Sequence, residues 1–76
     1  MVLVEKSRKG MKICVNGAKR EVPGGMTLEN LIELFGLKKK SIVLELNQKI
    51  VERSNYPNMQ LHENDTVEIV HFVGGG

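Results

Sequence analysis

Met11, Ile13 and Val15 alternate with Lys12, Cys14 and Asn16, and by Leu28 the apolar spacing has changed from every second residue to that of a helix. That one change of period constrains the fold most. A strand pair with one apolar face is followed directly by a helix with one apolar stripe, and each needs the other in order to be buried. Between the strands, Asn16-Gly17 supplies two residues that tolerate positive φ, the requirement of a type I′ hairpin turn. "AKREV" returns as the second strand, so residues 11–22 predict a hairpin.

Pro23-Gly24-Gly25 breaks the strand pattern, and Thr27 is placed as a helix N-cap whose hydroxyl accepts from a first-turn N–H. Met26 before the cap and Leu31 after it have the spacing of a hydrophobic staple. Leu28, Leu31, Ile32 and Phe35 form the i, i+3, i+4, i+7 stripe, with Glu29, Asn30 and Glu33 on the outer side. Gly36 is the expected stop, and Lys38, Lys39 and Lys40 lie just past the negative end of the helix dipole. That lysine run reads as a solvated helix exit that could help a partner dock.

The second half of the chain is rich in strands. "SIVLELN" places Ile42, Leu44 and Leu46 on one face, with Val43 and Glu45 on the other. Asn47-Gln48 reads as a turn into a brief strand at Ile50-Val51. "ERSNYPNMQL" reads as irregular with a helical turn before Pro57, and His62 to Asp65 as a turn into a last strand. The order β-β-α-β-β-β reads as an α+β domain of the β-grasp type, a mixed sheet of four to five strands curled around one helix, although composition alone equally permits other small α+β folds.

Length and charge narrow the function classes. A chain of 76 residues holds one domain and has little volume in which to enclose an active site. The formal charge is +2. Lys6, Arg8 and Lys9 against Glu5 account for all of it, leaving residues 11–76 with eight cations and eight carboxylates. A neutral body without interleaved aromatics argues against nucleic acid as a partner. Residues 1–10 read as an appendage, expected to be disordered, and 11–76 as the folded domain with a flexible glycine tail at 74–76. With one cysteine, no signal-peptide pattern and no apolar run near the ~18 residues of a membrane span, a reducing, cytoplasmic setting is expected, without membrane association.

Few residues carry catalytic chemistry. Cys14 falls on the outer face of a strand, with neither a helix N-terminus nor an adjacent cation apparent, so it reads as a small strand residue. His62 and His71 lack companions at metal-ligand spacing, and neither a nucleophile triad nor a phosphate loop is present. No metal or bound cofactor is expected. The last strand says more. With Val67 and Ile69 facing the core, Val70 and Phe72 point out through the opposite face. They lead directly into Gly74, Gly75 and Gly76, a tail without Cβ atoms that can thread a narrow channel. From Phe72 to Gly76 it reaches at most roughly 13–14 Å. Its carboxylate is a poor electrophile until activated, so the chemistry implied is carriage of an activated acyl group whose catalysis partners provide.

"MKICVNGAKREVPGGMTLENLIELFGL", "LELNQKIVERS" and "ENDTVEIVHFVGGG" resemble the sulfur carrier protein of thiamine biosynthesis, a ubiquitin-like β-grasp family with a C-terminal diglycine. The resemblance runs through residues 11–76 in order. It implies that Gly76 is adenylated by an E1-like activating enzyme that uses ATP. A sulfur donor such as a cysteine desulfurase then converts the adenylate to a thiocarboxylate, and thiazole synthase receives the sulfur. The chain itself would not be an enzyme. Gly74 and Gly75 would form the tail, and Val70, Phe72 and Val73 the partner-binding strand end. The small subunit of molybdopterin synthase shares this fold and chemistry, and a non-covalent β-grasp binding module is the alternative without them.

Overall fold

A computed structural model describes residues 10–72 of the chain. The strands are β1 (Gly10–Val15), β2 (Ala18–Pro23), β3 (Ile42–Leu46), β4 (Lys49–Val51) and β5 (Thr66–His71). One α-helix, α1 (Leu28–Leu34), follows the hairpin, and 3-10 turns occupy Lys39–Ser41 and Arg53–Asn58. The five strands form one sheet in the order β2-β1-β5-β3-β4. β1 and β5 are parallel and the other neighbours antiparallel. This is the mixed, helix-wrapping sheet expected from the sequence.

The hairpin forms where the Asn-Gly pair requires it, with φ of 50° at Asn16 and 84° at Gly17. Its strand starts one residue earlier than the hydrophobic pattern indicates. Gly10, assigned to the appendage from the sequence, pairs with Pro23 as the first residue of β1. A glycine carries no side-chain alternation, so periodicity could not place it. Pro23 is tolerated at the end of β2 because β2 is an edge strand. Residues 1–9, the rest of the predicted appendage, lie outside the described residues.

Both ends of α1 are closed by side-chain or backbone bonds. Thr27 Oγ1 accepts from Asn30 N–H at 3.1 Å while Asn30 Oδ1 accepts from Thr27 N–H at 3.0 Å, a capping box in which Asn replaces the usual Glu or Gln. Asn30 therefore works for the helix start. At the other end Gly36 has φ 70°, with Gly36 N–H bonded to Glu33 O and Leu37 N–H to Ile32 O, both at 3.0 Å. These are the two bonds of a Schellman stop, and Leu37 packs back against the core. Lys39 Nζ lies 2.9 Å from Glu29 Oε1, an ion pair without hydrogen-bond geometry.

The core lies between α1 and the inner face of the sheet. Leu28 and Leu31 of the helix meet Ile13, Leu44 and Val67 of the central strands, all buried. Each such side chain contributes about 1.5–3 kcal/mol over its exposed state. Tyr56 and Leu61, from the stretch without sequence periodicity, are buried beside them. Leu28 N–H to Met59 O at 2.9 Å and Leu61 N–H to Met26 O at 2.8 Å bind that stretch to the helix entrance. Pro57, expected to follow a helical turn, sits inside the 3-10 segment.

Candidate functional site

The chain runs on from β5 into Gly74, Gly75 and Gly76, so the placement of β5 fixes where that segment begins. Two turn asparagines hold this strand with their side chains. Asn16, just past β1, accepts from Ile69 N–H at 2.6 Å and donates Nδ2 to Ile69 O at 3.2 Å. Its carboxamide thus satisfies both backbone groups of Ile69, which a continued β1 would have done with two successive ladder bonds. Asn47, at φ 52° after β3, accepts from Thr66 N–H at 2.9 Å and donates to Asp65 Oδ1 at 3.0 Å. Positive φ turns each backbone out of the sheet while the side chain stays in the ladder.

Beyond β5, Phe72 N–H donates to Ser41 O at 3.0 Å. At the other end of the β3–β5 ladder Asn47 N–H donates to Thr66 O at 2.8 Å. Those bonds set the phase, so Val43–Val70 and Glu45–Glu68 are hydrogen-bonded pairs on the outer face, with Cα atoms about 5.5 Å apart. Val70 is 52% exposed and Phe72 46%. They stand in a line toward the tail, with half-buried Val43 beside Val70. Ile50 of β4, opposite Glu45, is the most exposed large apolar residue described, at 70%. Val70 and Phe72 are therefore outward and accessible, as the alternation predicts. Val73, Gly74, Gly75 and Gly76 lie outside the described residues.

The other predicted residues sit as follows. Lys38, Lys39 and Lys40 immediately precede Ser41, which brings the basic run near Phe72. Cys14 is half-buried on the outer face, and Lys19 is directly opposite it across the hairpin. The sequence reading saw no cation near Cys14; the register supplies one. His62 belongs to a turn: its backbone N–H donates to Asp65 Oδ2 at 2.8 Å, closing it. Among the described residues no group of three or more His, Cys, Asp or Glu is placed to hold a metal ion. His71 lies on the inner side of β5 and lines a groove of about 390 Å³ with Val15, Arg20, Phe35 and Ile69. There the Arg20 guanidinium sits 5.0 Å from the centre of the Phe35 ring.

Sequence reasoning missed Asn16 and Asn47 as clamps, and the opposition of Glu45 to Glu68. The clamps had a local signal, an Asn opening each of two short turns. The carboxylate pair had none, because it arises only from register between distant strands.

Comparison with known proteins agrees with this arrangement. The model of the ThiS family matches residues 13–76. The sulfur carrier protein ThiS of Bacillus subtilis is 38% identical over 50 residues, covering 66% of this chain and 76% of that protein. A thiazole synthase of Magnetococcus marinus is 39% identical over 66 residues, 87% of this chain. The chain spans only 20% of that synthase's length, and 20% of a second from Paramagnetospirillum magneticum. The crystal structure of the thiamine biosynthesis protein ThiS of Geobacter metallireducens superposes with a TM-score of 0.75 at 28% identity, covering 87% of this chain and all of that one. A five-stranded mixed sheet around one helix and a family match running through Gly76 place this chain in the ThiS family of ubiquitin-like β-grasp proteins, to which the sulfur carrier protein of Bacillus subtilis belongs.

Proposed function

We propose that this chain carries sulfur for thiazole assembly in thiamine biosynthesis, bound as a thiocarboxylate on Gly76. The observation that carries the reading is the family match through Gly76 on a body whose last strand ends in exposed Val70 and Phe72. The Gly76 carboxylate attacks the α-phosphate of ATP in an E1-like activating enzyme, releasing pyrophosphate and leaving an acyl adenylate. A persulfide, formed by a sulfur donor such as a cysteine desulfurase, displaces AMP and gives an acyl disulfide. A second thiol cleaves the S–S bond, leaving the thiocarboxylate and a mixed disulfide. Gly74 and Gly75 supply the slender thread, and Val70, Phe72 and Val73 the docking strand end. The carrier binds no cofactor of its own.

Thiazole synthase is the proposed recipient. Two thiazole synthases contain a stretch similar to this chain within their own length. Joining a carrier to its acceptor raises the effective concentration of one at the other, which is a reason for the two to share a polypeptide. The same observation favours thiazole over molybdopterin chemistry. The proposed setting is the cytoplasm, where thiols stay reduced, and no helix among the described residues is long and apolar enough to cross a membrane.

Incubation with ATP, a sulfur donor and the activating enzyme is expected to replace one oxygen of Gly76 by sulfur, read by intact mass and located by fragmentation. Removal of Gly75 and Gly76 is expected to abolish the change while the far-UV circular dichroism and unfolding midpoint stay those of the full chain. An unchanged mass under conditions that load a ThiS carrier overturns the reading.

A further inference from the structure

The outer face of β3, β4 and β5 combines two features that do not favour the free molecule. Glu45 and Glu68 are directly opposed on neighbouring strands, an arrangement that is destabilising for like charges. Among the described residues the one Lys or Arg ion pair is Lys39–Glu29, and the 4.0 Å contact of His62 with Asp65 likewise leaves Glu45 and Glu68 unpaired. On one side of them Val43, Val70 and Phe72 run toward the tail; on the other, Ile50 stands opposite Glu45. Apolar surface flanking a repelling carboxylate pair is complementary to an apolar surface that carries one cation.

We propose that the enzyme that activates the tail reads this face with an arginine or lysine placed between Glu45 and Glu68, while its apolar side chains cover Val43, Val70 and Phe72. The proposal rests on the carrier reading and adds to it what the partner must look like. A second copy of this chain does not fit, because facing two such surfaces would gather four carboxylates. Nucleic acid does not fit either, since phosphates meet the same repulsion. Seating a cation between the two glutamates removes the repulsion and places the end of β5 against the enzyme. Charge then selects the partner and apolar contact holds it.

The full chain and the activating enzyme test this through the kinetics of sulfur loading, read by intact mass. Glu68→Lys gives Glu45 a cross-strand partner within the carrier, so the variant is expected to unfold at a higher temperature than wild type. Its KM as carrier substrate is expected to rise about tenfold or more, as when a charge at an interface is reversed. Wild-type KM is expected to rise with salt; the double variant Glu45→Gln, Glu68→Gln is expected to keep its fold, to show a several-fold higher KM, and to lose that salt dependence. Wild-type KM and salt dependence in both variants overturn the proposal while leaving the carrier reading intact. A lowered unfolding temperature of the double variant also overturns it, because the carboxylates would then be partnered within the chain. Failure of wild type to load removes both readings.

Discussion

Asn16 has two tasks that no other common residue combines. It tolerates φ 50° in the hairpin turn, and its carboxamide replaces the backbone of β1 against Ile69, 53 residues away. Asn16→Asp keeps the turn and the acceptor but sets a carboxylate oxygen against Ile69 O where an N–H had donated. The expected loss is about 1–2 kcal/mol, the cost of an unmade bond at a part-buried site. A urea unfolding midpoint lowered accordingly, with faster amide exchange at Ile69 and Val70 than in the hairpin, checks it. Asn16-Gly17 announced a turn in the sequence, and nothing beyond a turn. The second task depends on a strand that folds back from the far end of the chain.

At the level of elements, legibility followed locality. The hairpin and α1 were readable because their signals lie within a few residues: alternation, Asn-Gly, a Thr cap, a Gly stop. The segment holding Tyr56 was not, because an irregular backbone imposes no period, and Tyr56 is buried by tertiary contact alone. Val70 and Phe72 could be read as outward from β5's alternation. Val43, Glu45 and Ile50 could not be joined to them without the register of three strands. The second hairpin turn offers a test of local chemistry. Asn47-Gln48 adopts φ of 52° and 74°, the same positive pair as Asn16-Gly17, but with a side chain where glycine is preferred. Gln48→Gly is expected to stabilise the protein by about 1 kcal/mol, since left-handed backbone costs other residues roughly 1–2 kcal/mol. Thermal unfolding measures it, and an unchanged or lowered midpoint contradicts the argument.

Across the whole molecule, the strand order β2-β1-β5-β3-β4 puts β5 at the centre. The hairpin β1–β2 and the pair β3–β4 each form from near neighbours, but only β5 joins them. Without it, Ile13, Leu44 and Leu31 lose buried Val67 and Ile69 as neighbours, and the two half-sheets have no common ladder. A chain ended at Asp65 is therefore expected to stay unfolded, read as the loss of a cooperative thermal transition. A cooperative transition in that fragment would contradict the topology argument.

The central position of β5 also bears on the order of events in the cell. A ribosome makes the chain from the N-terminus, so the hairpin, the helix and the β3–β4 pair emerge before the strand that unites them. Non-local pairing of this kind waits for its last partner. The nascent chain is thus an open half-structure until β5 is free to pair. A prematurely ended chain therefore lacks both the closed sheet and the outer face that β5 shares with β3.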